Sequence, residues 1–171
     1  MTPRTSRTYN QELEKAIKFL VFRMHETGHN PKPVILHSIQ MATHLDDLGY
    51  GKEIVVAALL HDLIEDSDTK IGEIEKEFSG KVANLVRALT FDRTLPQGER
   101  FYEYLKRMIE EGLDALVISA ADFLDNSKYY HLGEDEELKK WLYEKRQTFV
   151  EKSEPILKNE PIWKELRGQK I

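Results

Sequence analysis

The chain has 171 residues, 40% hydrophobic and 32% charged, the balance of a globular domain long enough to bury a core without staples. Lys and Arg number 25 against 30 Asp and Glu, a net charge of −5, which argues against a dedicated nucleic-acid binder, whose affinity rests on clustered cations. No cysteine is present, so disulfides, zinc–thiolate sites, iron–sulfur clusters and a thiol nucleophile are excluded, while a small anionic substrate stays open because a bound metal can supply positive charge.

Residues 1–9 are polar, with Arg4 and Arg7 among Thr and Ser, and read as a flexible arm. They lack the apolar core of a signal peptide, and no apolar run reaches the roughly 18–20 residues of a membrane span. The expectation is a cytoplasmic protein with no membrane partner. From Asn10 to about Glu26, apolar residues at Leu13, Ile17, Leu20, Val21 and Met24 predict a helix. Gly28, Pro31 and Pro33 end it. A second helix is predicted from Pro33 or Val34 through His37, Met41 and His44 to Leu48, ended by Gly49 and Gly51.

The stretch from Lys52 to Ile64 differs, because Ile54 to Leu60 has no polar face. Such a run fits a buried strand or a buried helix. Helical patterns on both sides and the lack of a sheet partner favour a helix buried all round. Short helices follow at about Lys70–Phe78 and Lys81–Thr90, separated by Ser79-Gly80. Beyond a loop from Phe91 to Gly98, helices are predicted at Glu99–Glu111, with Gly112 as its C-terminal stop, at Leu113–Tyr130 and at Glu134 to about Leu157. The tail, 155–171, ends in a turn of helix around Trp163. The fold class is all-α, a helical bundle of about eight helices in one domain, with its core over about 10–150. Nothing in the sequence sets an oligomeric state.

The most buried predicted helix ends in His61-Asp62-Leu63-Ile64-Glu65-Asp66. On a helix His61 and Glu65 are four apart, as are Asp62 and Asp66, so all four project into one region. Burying them uncompensated costs several kcal/mol, and the carboxylates raise one another's pKa. Two acids in a last turn also oppose the helix dipole. A divalent cation answers each of these costs and accepts both imidazole nitrogen and carboxylate oxygen. The plain alternative is a solvated helix end. Further ligands must come from other helices. Asp122 interrupts the apolar run Leu116–Leu124, and His37 sits at the start of the second helix. Each reads as a metal ligand in preference to a satisfied core residue, a cap or an ion pair. Asn126, one turn after Asp122, reads as a ligand or substrate contact. His29, beside the first loop, is a candidate substrate contact, as His25 is. Asp125 is expected to face outward, His44 to be marginal and His131 to be an exposed helix end.

His37, then His61-Asp62, then Asp122 resembles the H…HD…D signature of the HD-domain superfamily. The segment Ala57-Ala58-Leu59-Leu60-His61-Asp62-Leu63-Ile64-Glu65-Asp66-Ser67-Asp68-Thr69 is similar to the Ala-Leu-Leu-His-Asp-x-x-Glu-Asp-Thr motif of RelA/SpoT-type hydrolases and their small single-domain homologues. The likeness continues through Phe78-Ser79-Gly80-Lys81-Val82 and Leu85 to Thr90, and reaches Ala121-Asp122-Phe123-Leu124-Asp125-Asn126. It covers roughly residues 10–130.

This resemblance implies one divalent ion, commonly Mn²⁺, with Mg²⁺, Fe²⁺, Co²⁺, Ni²⁺ or Zn²⁺ as alternatives, held by His37, His61, Asp62 and Asp122. Glu65 and Asp66 then position and activate the attacking water, and Asn126 lies near the nucleotide. The family reaction removes pyrophosphate from the 3′ position of ppGpp. The chain departs from that family in the loop before His37, where Lys32 is the one basic residue, and at Ser119-Ala120 and Phe123, where the family carries Lys and Arg. These changes remove positive charge that would hold a tetra-anionic ligand. They direct the expectation toward an HD subgroup with another phosphorylated substrate.

The predicted function is a metal-dependent phosphohydrolase acting on a phosphorylated, nucleotide-like small molecule by metal-activated water, with a (p)ppGpp-type 3′-pyrophosphohydrolase as the specific candidate. Lys32 and His29 are candidate substrate contacts, and Arg23, Arg93 and Lys128 are further cations that could steer phosphates. Because ligating histidines must be neutral, activity is expected to fall below about pH 6. The alternatives are a nucleotidase, another phosphomonoesterase or a nucleoside triphosphate hydrolase on the same site, and a nucleotide-binding regulatory module without turnover. A two-iron oxygenase would need more ligands than the sequence offers.

Overall fold

The computed structural model describes residues 6–30 and 33–170. Among them are ten α-helices and one 3-10 helix, and no strand. They form two compact units, one running to Phe91 and the other beginning at Asp92. No described helix is long and apolar enough to cross a membrane.

The first unit holds α1 (Arg7–Thr27), α2 (Val34–Asp47), α3 (Lys52–Leu60), α4 (Leu63–Asp66), α5 (Ile71–Glu77) and α6 (Gly80–Ala88). Its centre is α3, packed by α1, α2 and α6. All seven residues from Ile54 to Leu60 are buried, as a helix with no polar face requires. Each large apolar side chain so buried contributes about 1.5–3 kcal/mol. The Ser79-Gly80 break predicted from sequence is the start of α6, where the Ser79 hydroxyl accepts from Val82 N–H and caps an otherwise orphaned donor.

Three expectations for this unit are corrected. The arm predicted over 1–9 is ordered from Ser6: its hydroxyl caps α1 by accepting from Tyr9 N–H at 3.1 Å. Tyr9 itself is buried and donates its hydroxyl to Asp46 on α2. Residues 1–5, including Arg4, lie outside the described residues. The single helix predicted over 52–64 divides at His61-Asp62, which join α3 to α4 in right-handed helical conformation. Arg23, a candidate for steering phosphates, is committed elsewhere. Its Nε donates to Thr69 Oγ1 at 2.9 Å and its guanidinium pairs with Glu73 at 3.3 Å.

The second unit holds α7 (Gln97–Glu111), α8 (Leu113–Asn126), a 3-10 helix (Ser127–Leu132), α9 (Glu136–Leu157) and α10 (Pro161–Gly168). Its centre is α8, packed by α7, α9 and α10, with Ala115 to Ala121 all buried. Gly112 joins α7 to α8 at φ 98°, a left-handed conformation that glycine adopts without steric cost. The predicted helix to Tyr130 tightens into the 3-10 turn after Asn126. Pro155, placed in the tail from sequence, lies in the last turn of α9. The tail does form a helix, and its Trp163 is buried. Asp125 is also buried, not outward-facing, and pairs with Lys128 at 2.9 Å. That bond also engages Lys128, another of the candidate phosphate cations.

Candidate active site

In the first unit, α2 and the α3–α4 junction bring two buried histidines together. The rings of His37 and His61 stand 5.5 Å apart between centroids. His61 follows the most apolar helix of the chain, so packing of that helix fixes its backbone. Its Nδ1 lies 2.9 Å from the Ala58 carbonyl oxygen. A carbonyl only accepts, so Nδ1 carries a proton, and in the neutral imidazole Nε2 then presents its lone pair. Nε2 faces Asp62 Oδ1 at 3.0 Å. Two electron-rich atoms this close repel unless positive charge joins them, as a proton on Nε2 or as a cation ligated by both. Imidazole nitrogen and carboxylate oxygen are the donors a divalent ion takes, and a histidine held through its other nitrogen is the usual arrangement of a ligating imidazole. The donor set present here fits such an ion.

Glu65 and Asp66 lie on α4, one turn beyond. Glu65 Oε1 accepts from the Phe91 backbone N–H at 2.8 Å. Asp66 is buried, and its Oδ2 accepts from Asn30 Nδ2 at 2.8 Å. Its backbone carbonyl accepts from His29 N–H at 3.0 Å. Both carboxylates are thus oriented by neutral donors from segments distant in sequence. Below them, Ser67 Oγ donates to the Leu63 carbonyl at 2.6 Å, and Ser67 and Thr69 hydroxyls meet at 2.8 Å.

In the second unit, Asp122 and Asn126 lie one turn apart on α8. Asn126 Nδ2 donates to Asp122 Oδ1 at 2.6 Å, so the residue read as a substrate contact also holds the Asp122 carboxylate. The Tyr130 phenol is pushed well above its ordinary pKa, first by burial and then by the Asp122 charge, with Arg146 opposing. The side chain of His29 is exposed, and Lys32 lies outside the described residues. Asn30, the Phe91 N–H and the Ala58 carbonyl were not anticipated. Backbone groups leave no mark in a residue pattern, and an Asn beside Pro reads as a turn.

A family model described as an HD domain matches residues 16–149. A guanosine-3′,5′-bis(diphosphate) 3′-pyrophosphohydrolase of Aquifex aeolicus is 30% identical over 157 residues, which is 90% of this chain and 22% of that protein. The mouse enzyme of the same description, MESH1, is 38% identical over 96 residues, 55% of this chain and 54% of that one. The chain therefore spans about half the length of the MESH1 relatives and less of the bacterial one. Among solved structures, that of a metazoan ortholog of SpoT that hydrolyzes ppGpp superposes with a TM-score of 0.78 at 24% identity, covering 91% of this chain and 92% of that one. The crystal structure of lmo0812 from Listeria monocytogenes gives 0.66 at 28% identity, covering 81% and 95%.

Proposed function

The chain belongs to the HD-domain family, and on that premise we propose that it is a divalent-metal-dependent phosphohydrolase acting on a phosphorylated, nucleotide-like small molecule. The observation that carries the reading is the approach of His61 Nε2 to Asp62 Oδ1 at 3.0 Å, with Nδ1 on the other side of the ring donating to the Ala58 carbonyl. His37, His61, Asp62 and Asp122 are the proposed ligands of one ion, Mn²⁺ first. All four fall within the family match, which crosses the boundary between the two units and supports treating residues 16–149 as one functional domain. The cytoplasmic location belongs to the same reading.

When bound, a divalent ion polarises a phosphoryl oxygen and lowers the pKa of its water. Glu65 and Asp66 do the rest of the proton work. Their carboxylates are held in place by the Phe91 N–H and the Asn30 amide, orient the attacking water and take its proton. Asn126 steadies Asp122. No covalent intermediate is needed. The pyrophosphohydrolase activity named for the relatives makes 3′-pyrophosphate release from ppGpp the first reaction to test.

The test is phosphate and pyrophosphate release from ppGpp, GTP and AMP by metal-stripped protein reloaded with Mn²⁺, with His61→Ala as control. Release from any of them that is lost on stripping and in the variant is the expected result. Pyrophosphate from ppGpp assigns the 3′-pyrophosphohydrolase activity; phosphate from AMP assigns the nucleotidase. Tight Mn²⁺ binding without turnover would replace this reading with a regulatory module.

A further inference from the structure

The end of α1 and the loop after it are tied to α4 and the turn that follows it at three points. His29 N–H donates to the Asp66 carbonyl at 3.0 Å, the Asp68 N–H donates to Thr27 Oγ1 at 3.1 Å, and Asn30 Nδ2 donates to the Asp66 carboxylate at 2.8 Å. The first two use backbone donors and dock the loop whatever side chain stands at position 30. Gly28 closes the end of α1: its N–H donates to the Met24 carbonyl at 3.1 Å, and a Cβ there would collide with that same oxygen. The third bond is different in kind, because it reaches the carboxylate rather than the backbone.

We infer that Asn30 is a positioning residue for Asp66: its amide fixes the plane of that carboxylate for the water it is proposed to activate. The inference rests on the phosphohydrolase reading. An ionised carboxylate only accepts, so the amide must present its NH₂, and a neutral donor orients the group without cancelling its charge. A lysine or arginine in the same place would pair with Asp66 and blunt it as a base. Asp66 is buried, so the orientation is set by these contacts more than by solvent. Misplacing a catalytic group by about 1 Å costs on the order of a hundredfold in rate.

Asn30→Leu keeps the shape and removes the donor, and Asn30→Gln keeps the donor on a longer arm. Both are compared with the wild-type chain, reloaded with Mn²⁺, on ppGpp, GTP and AMP. Leu is expected to lower kcat by about 10- to 100-fold, with KM within about threefold and Mn²⁺ affinity within about twofold; Gln should recover most of the loss. A second readout needs no turnover. In metal-free protein the Asn30 side-chain amide protons are expected to be shifted and slow to exchange by NMR, and to lose both properties in Asp66→Ala. An active wild type with an equally active Leu variant overturns this inference alone, as does a loss confined to KM. An Asn30 signal indifferent to Asp66→Ala overturns it too. A wild type that hydrolyses none of the three overturns the phosphohydrolase reading, and the role of Asn30 with it.

Discussion

Asn126 donates its side-chain amide to Asp122 Oδ1 at 2.6 Å, one helical turn along α8. An i, i+4 pair on a helix is preformed by the backbone, so Asp122 is steadied before any ligand arrives. If Asp122 is a ligand, as proposed, the group that holds it in place is worth about 10- to 100-fold in metal affinity. Asn126→Ala is therefore expected to weaken Mn²⁺ binding by about tenfold in calorimetric titration. An unchanged affinity combined with a raised KM would return Asn126 to the role of a substrate contact.

The His61–Asp62 contact gives a prediction on stability. A ligand that binds only the folded chain stabilises it by about 2.7 kcal/mol at a hundred times its Kd. Mn²⁺ at that excess is expected to raise the Tm of the metal-free protein, and chelation to reverse it. His61→Ala should abolish the rise. A Tm that does not respond to Mn²⁺ in the wild type would remove the metal from this site.

The candidate residues stood out in the sequence, because a run as apolar as Ile54–Leu60 makes four ionisable residues behind it conspicuous. The all-α class followed from apolar spacing along most of the chain, with Ile54–Leu60 decided by its helical neighbours and the lack of a sheet partner. What escaped was whatever depends on distant partners. Asn30 meets Asp66 across 36 positions, and Arg23 meets Thr69 across 46. The helix division at His61-Asp62 carries no Gly or Pro to announce it. Asp125 looked outward-facing beside Asp122, yet α8 is buried on so wide an arc that it is covered, with Lys128 as its partner. Ser6 looked like arm, although Ser followed by a helix is also a cap pattern.

Thr69 is nearly fully buried and joins two neighbours, accepting from Arg23 Nε at 2.9 Å and meeting Ser67 Oγ at 2.8 Å. It fastens the turn after Asp66 to α1. Thr69→Val preserves shape and strips the hydroxyl, leaving Arg23 Nε short of an acceptor. Leaving a buried polar group unsatisfied costs about 1–3 kcal/mol; Arg23 is half-buried, so a loss at the lower end, about 1 kcal/mol, is expected in urea unfolding. If Arg23→Ala and Thr69→Val prove additive in the double variant, the bond does not couple them.

Tyr130 sets an alkaline limit. Burial raises its pKa first and the Asp122 charge adds to that, while Arg146 pulls the other way and Tyr143 adds a little. The unfolded chain releases the phenolic proton near pH 10, but the folded chain retains it. Above pH 10 the native state thus binds more protons than the unfolded one, and stability falls as pH rises. The contribution is fully present below pH 10 and declines by about 1.4 kcal/mol per pH unit until the folded phenol also ionises. Tyr130→Phe removes the titrating group while keeping the ring that packs edge-on against Tyr143 at 5.4 Å. Metal-free wild type is expected to lose urea stability between pH 10 and 11.5, and the Phe variant to lose measurably less over the same range. Parallel curves for the two proteins would show that Tyr130 ionises in the folded chain as readily as in the unfolded one.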